Sequence, residues 1–188
     1  MSGHSKWANI KRAKGANDVK RAKVFTKLSR AITVAARKGG SGDHEANPTL
    51  RKAIDDARNA NVPKDNIERA VAKGVGGDNG QQMEEITLEA YGPSGVAILL
   101  KVLTDNRNRT LSEVRSVLTK YGGSLGNPGS AAYIFAADPE NPSFSIPVED
   151  MESSQKVLGL VNALEDLDDV QKIYSNFDIA DEILEQSP

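Results

Sequence analysis

The chain has 188 residues, with 24 Lys and Arg against 26 Asp and Glu, and no cysteine, which excludes disulfides, thiol nucleophiles and cysteine metal sites. The near-neutral total conceals a division: residues 1–80 hold 17 basic and 8 acidic side chains, whereas residues 81–188 hold 7 and 18. No apolar run approaches the roughly 20 residues of a membrane-spanning helix, and residues 1–7 contain no hydrophobic segment of a secretory signal, so the expectation is a cytoplasmic protein without a membrane partner.

In chain order, residues 1–14 are basic, rich in small residues and aperiodic, and read as a flexible arm. Residues 15–73 read as a three-helix domain. Phe25, Leu28, Ile32, Ala35 and Ala36 cluster on one side of a first helix, with Lys20, Lys23, Lys27, Arg30 and Arg37 opposite. Gly39-Gly40 ends it. Asn47-Pro48 starts a second helix as cap and first-turn proline, with Leu50, Ala53, Ile54 and Ala57 inward. A third runs from about Lys64 to Lys73, with Ile67, Ala70 and Val71 inward and Asp65 or a neighbour as its cap. The apolar sides are narrow, which predicts a small core. Residues 74–80 are a Gly-rich linker.

Residues 81–188 change pattern. Ile86, Leu88 and Ala90 alternate with polar residues as on a half-buried strand. Tyr91-Gly-Pro-Ser-Gly95 signals a hairpin, and residues 96–103 suit a central strand. Residues 105–109 are a polar loop, and Thr110-Leu-Ser-Glu113 matches a capping box that opens a helix to about Tyr121. Further strands are expected at 131–136, 144–148 and 170–176, a turn at 138–142, and a helix at about 150–164. The order ββαββαβ predicts an α+β fold, with a small α/β sheet domain carrying two helices on one face.

Enzyme signatures are weak. The glycines at 122–129 lack the Lys-Ser/Thr of a phosphate-binding loop, and those at 74–80 lack the strand–loop–helix setting of a dinucleotide fingerprint. His4 and His44 have no zinc-chelating spacing. Glu165-Asp-Leu-Asp-Asp169 lacks the glycine and distal glutamate of a calcium loop and reads as a solvated helix end. No catalytic residue, metal, cofactor or small-molecule substrate is expected.

The basic half carries the stronger signal. Residues 1–38 contain 11 Lys or Arg and a single acid, Asp18. Lys6, Lys11, Arg12, Lys14, Lys20, Arg21, Lys23, Lys27 and Arg30 form a nearly unbroken field, which releases counterions when it meets phosphates and binds without choosing sequence. Trp7 lies inside this field and has two readings, stacking on a base or anchoring the arm onto the helices. Asn106, Arg107, Asn108 and Arg109 form a second polar cluster at a strand end, where Arg107 or Arg109 would grip a phosphate or carboxylate. Its competing reading is a turn leading into the helix cap.

Several stretches resemble the YebC/PmpR family. They are Gly3-His-Ser-Lys-Trp-Ala-Asn-Ile-Lys11, Phe25-Thr-Lys-Leu, Ile32-Thr-Val-Ala-Ala-Arg37, Asn61-Val-Pro-Lys-Asp-Asn-Ile-Glu-Arg69, Glu84-Glu-Ile-Thr87, Tyr91-Gly-Pro, Thr104-Asp-Asn-Arg-Asn-Arg-Thr110 and Ala163-Leu-Glu-Asp-Leu-Asp-Asp-Val170. The mitochondrial translational activator of cytochrome oxidase resembles the same family. The resemblance implies an N-terminal three-helix domain with α/β domains behind it, and no enzymatic activity. It implies either a DNA-binding transcriptional regulator or a ribosome-associated translation factor. Lys6, Lys11, Lys14, Lys20, Arg21, Lys27, Arg30, Arg37, Arg51 and Lys64 match the family's basic N-terminal domain, which implies a general nucleic-acid-contacting role. Family members usually carry a further small α/β domain between the strand near Phe135 and that around Ile146, where this chain has only a turn.

The combined expectation is a non-enzymatic nucleic-acid-binding regulator of gene expression. Its partner would be DNA, or ribosomal or transfer RNA on the ribosome. The alternatives are a protein-binding adaptor with a basic arm and a metal-dependent nuclease using Asp105.

Overall fold

The computed structural model describes Trp7, residues 18–76 and residues 83–186, with side-chain positions for Trp7, 21–76 and 83–184. The expected arm, apart from Trp7, and residues 77–80 of the expected linker lie outside the described residues. The fold is α+β, and the chain divides into two compact units, one spanning Ala16–Glu84 and the other holding Glu85–Pro188 together with Trp7.

The first unit is three helices, α1 (Asp18–Gly39), α2 (Pro48–Asn59) and α3 (Lys64–Val75). Its core joins Ile32, Ala35 and Ala36 of α1 to Leu50, Ile54 and Ala57 of α2 and to Ile67 and Ala70 of α3. Asn47 has extended backbone and its Oδ1 accepts the Leu50 N–H at 3.1 Å, so it caps α2 as its sequence predicts. Its Nδ2 donates to the Ala35 carbonyl at 2.8 Å, which ties α2 to α1. The N-cap of α3 is Pro63, with no side-chain cap bond, so Asp65 sits in the first turn and caps nothing. α3 also runs past Lys73. Gly74 is buried in it, and a Cβ there would lie 2.5 Å from the Thr33 carbonyl oxygen.

In the second unit β1 (Glu84–Tyr91) and β2 (Ala97–Thr104) are central, with β3 (Ser124–Leu125) and β5 (Val170–Ser175) outside them, in the order β3-β1-β2-β5. Both helices expected on one face are there, α4 (Arg107–Lys120) and α5 (Met151–Glu165). Ile98, Leu100 and Val102 of β2 pack with Val114 and Leu118 of α4 and with Val157, Leu158, Val161 and Leu164 of α5. Ala97 and Leu99 point the other way, onto Ala131, Ile134 and Phe135.

Three local expectations are corrected here, and one helix was missed. α4 starts at Arg107 with Asn106 as its cap, whose Oδ1 accepts the Arg109 N–H at 3.1 Å, so Thr110 lies inside the helix and the Thr110–Glu113 capping box does not form. Residues 132–135 are a 3₁₀ turn and not a strand. The strand expected at 144–148 is only β4 (Ile146–Pro147), which pairs in parallel with β6 (Phe177–Asp178) as a separate small sheet. A last helix, α6 (Asp181–Gln186), follows β6 and was not signalled. At 138–141 the Asp138 carboxylate accepts from the Glu140 N–H at 2.9 Å and from the Asn141 side-chain amide at 2.6 Å, closing a tight turn. That amide, then the Glu140 N–H, hold the Asp138 carboxyl below its ordinary pKa.

Candidate nucleic-acid interface

α1 buries Ile32, Ala35 and Ala36 and turns its charged positions away from them. At 100° per residue, Lys23, Lys27, Arg30 and Arg37 fall on the opposite side of the helix, all partly exposed. Arg37 and Lys38 also lie in the last turn, where the helix dipole favours positive charge. Arg21 falls on the apolar side, and its guanidinium sits 5.9 Å from the centroid of the Phe25 ring, one turn on.

The other candidate residues fare differently. Lys6, Lys11, Arg12 and Lys14 lie outside the described residues. Lys20 is on α1, but its side chain also lies outside them. Arg51 is held to its own loop, with its guanidinium donating to the His44 carbonyl at 3.2 Å and to the Glu45 carboxylate at 2.9 Å. Lys64 opens α3 and lies 3.5 Å from Glu68. Trp7 is a correction. Its ring is 2% exposed and packs with the core of the sheet unit. A ring so enclosed offers no face to a base, and it anchors to the sheet unit rather than to the helices.

The second polar cluster is also changed by its surroundings. Arg109 donates to Asp105 Oδ1 and to Asp169 Oδ2, both at 2.8 Å. The Asp169 bond, then the Asp105 bond, raise the Arg109 pKa above its ordinary value. Its Nη2 is therefore engaged by carboxylates of its own unit. Asn106 is used as the α4 cap, and Arg107 and Asn108 are exposed in the first turn.

Sequence reasoning missed what this cluster is built on. Asp169, taken as part of a solvated helix end, is 2% exposed. Its Oδ2 accepts from the hydroxyls of Thr110 at 2.6 Å and Thr104 at 3.0 Å, besides Arg109. Its backbone carbonyl accepts the Leu103 N–H at 2.8 Å, beside the irregularity in β2–β5 pairing at Lys101/Val102. The segments 104–110 and 163–170 thus meet, and their unexplained polar residues were the available signal.

Glu89 is a second buried acid. Burial opposes its charge, but the backbone N–H groups of Ala131, Gly129 and Ala132, at 2.6, 2.6 and 2.8 Å, outweigh burial and hold its carboxyl below the usual value. These bonds fix the loop that covers the second face of the sheet.

No group of three or more His, Asp or Glu among the described residues is arranged to hold a metal ion. No described helix is long and apolar enough to cross a membrane.

Two family models match this chain. That for the TACO1/YebC protein N-terminal domain covers residues 5–77, and that for the TACO1/YebC second and third domain covers residues 83–140. The chain is 43% identical over 247 aligned positions to a "Probable transcriptional regulatory protein" of Francisella tularensis subsp. novicida, with 99% of each covered. It is 63% identical over 135 residues to a "Probable transcriptional regulatory protein" of Borreliella burgdorferi, over 72% of this chain and 55% of that protein. A crystal structure of a conserved hypothetical protein from Aquifex aeolicus superposes with a TM-score of 0.80 at 36% identity, covering 89% of this chain and 94% of that one. The 247 aligned positions exceed the 188 residues here, so about 60 positions of the Francisella protein have no counterpart. The turn at 138–141 lies where the resemblance expects an inserted domain, which makes this a short form.

Proposed function

The chain belongs to the TACO1/YebC family, and from that premise we propose that it is a non-enzymatic regulator of gene expression that binds nucleic acid through the basic side of α1. The observation that carries this reading is that Lys23, Lys27, Arg30 and Arg37, each partly exposed, line the side of α1 opposite Ile32, Ala35 and Ala36, around a buried Val34. An ordinary solvated helix mixes acids among its bases. From Arg21 to Gly39 α1 holds six basic residues and no acid. Such a stripe can neutralise backbone phosphates and would position the protein without reading bases. The similar proteins named as transcriptional regulators support a DNA partner. A purely backbone contact would serve structured RNA on the ribosome equally.

Fluorescence anisotropy with a labelled random-sequence DNA duplex and a labelled RNA hairpin tests this reading. Affinity is expected to fall steeply between about 50 and 200 mM salt. Lys23→Glu with Lys27→Glu is expected to abolish it while the helical circular dichroism is retained. Unchanged affinity and salt slope would remove α1 from the interface. Ultraviolet crosslinking in cells then separates the targets: discrete DNA sites assign transcription, and ribosomal or transfer RNA assigns translation. Background recovery of both would leave the protein-binding adaptor.

A further inference from the structure

The sheet unit is acidic, but its few bases are gathered. Of the seven Lys and Arg in residues 81–188, four (Arg107, Arg109, Arg115 and Lys120) lie in the fourteen residues of α4. Of the eighteen acids there, α4 holds only Glu113. Arg109 is neutralised internally by Asp105 and Asp169, and Glu113 lies 4.0 Å from the same guanidinium. The exposed positions of α4 beyond its first turn, residues 112, 115, 116, 119 and 120, hold Arg115 and Lys120 and no acid.

That solvent face has a definite composition. α4 buries Thr110, Val114 and Leu118, which turns Asn108, Ser112, Arg115, Ser116, Thr119 and Lys120 outward, all exposed. Cations alternate with hydroxyl and amide groups, each able to donate to a phosphate oxygen. The other surface helices provide a comparison within the same molecule. α2 pairs Arg58 with Asp55, α3 pairs Lys64 with Glu68, and α5 pairs Lys156 with Glu152, each three or four residues apart. Arg115 and Lys120 have no acid at such a spacing. The Asp169 bonds and the Asn106 cap fix the first turn of α4, and Val114 and Leu118 seat its later turns in the core.

We propose that the solvent face of α4, through Arg115 on one flank and Lys120 on the other, is a second contact to the sugar–phosphate backbone of a nucleic acid, made by the otherwise acidic unit. The assignment rests on the nucleic-acid reading of α1 and adds a site to it.

The test uses the full chain carrying Arg115→Gln and Lys120→Gln, titrated against the same labelled DNA duplex and RNA hairpin. Both side chains are exposed, and the one contact removed is that of the Lys120 ammonium 5.6 Å from the Tyr121 ring centroid, so the thermal unfolding midpoint should move little. Loss of two phosphate contacts is expected to shrink the slope of log K against log salt by about 2 and to weaken binding roughly tenfold or more at low salt. Lys172→Gln, which removes an exposed cation from β5, should change neither. If the α4 variant binds as the parent does while Lys23→Glu with Lys27→Glu loses binding, the α4 face is not a contact and the α1 reading stands. Weaker binding at an unchanged salt slope would also overturn the phosphate assignment. If the parent chain binds neither probe, both readings fall together.

Discussion

At the scale of single residues, two buried carboxylates organise the sheet unit in different ways. Asp169 joins side chains: it accepts from two threonine hydroxyls and from Arg109. Asp169→Ala strips three donors of their acceptor, and a loss of about 2–4 kcal/mol is expected in urea unfolding. The side chain of Arg109 is 42% exposed, so water can take over much of its charge. Arg109→Gln should therefore cost less, about 1 kcal/mol. Equal losses would mean that the ion pair, and not the hydroxyl pair, carries the stabilisation. Glu89 instead binds backbone, and its pKa is lowered in the folded state. A group depressed on folding stabilises fully above its unfolded value of 4.5, and that contribution is lost as pH falls through the lower folded value. Glu89→Gln should therefore lower stability at neutral pH by about 1–3 kcal/mol. The difference from the parent should then narrow below about pH 4. A difference that stays constant into acid would deny the carboxylate its role. Neither acid was legible in sequence, because a buried Asp and a solvated one are written alike. Only the partners, up to 65 residues away for Asp169, distinguish them.

At the scale of elements, what was legible is what is local. Asn47-Pro48 announced the α2 start because cap and first-turn proline are adjacent in the chain. The inward faces of α1, α2 and α3 were legible because helical spacing alone determines them. The failures arose where two local rules competed. Asn106 and Thr110 both suit a helix cap, and Asp169 draws Thr110 into the helix, which leaves the cap to Asn106. Residues 131–136 are apolar enough for a strand, but Glu89 gathers the N–H groups of residues 129, 131 and 132 and curls the segment. Gly74 was read as the first residue of a flexible linker. It is instead buried where α3 crosses α1, with a Cβ position 2.6 Å from the Ala36 Cβ as well as close to the Thr33 carbonyl. Gly74→Ala would force the helices apart, and a loss of about 1–3 kcal/mol is expected despite alanine's better helix propensity. A gain in thermal midpoint would show that the α1–α3 contact relaxes easily.

At the scale of the whole molecule, two cores of unequal size share one chain. The helical core is built largely from alanine and single aliphatic side chains, whereas the sheet core holds Phe177 and many more branched residues. Smaller cores bury a smaller fraction of surface, so the helical unit is expected to unfold first. The single tryptophan makes the difference measurable, because among the described residues Trp7 packs with the sheet core. In a denaturant titration, part of the helical circular dichroism should be lost before the tryptophan emission shifts. One coincident transition would show the cores to be coupled. The same ring tests the division of labour between arm and helix. A ring 2% exposed should emit at short wavelength and resist acrylamide. If nucleic acid binds through phosphate contacts on α1, saturating duplex or hairpin should leave that emission unchanged. A base stacked on Trp7 would quench it, which would require the ring to leave the core on binding, and the gain from stacking, roughly 1–3 kcal/mol, is no larger than the cost of exposing so large a side chain. The balance therefore favours an unquenched tryptophan and a contact made by charge.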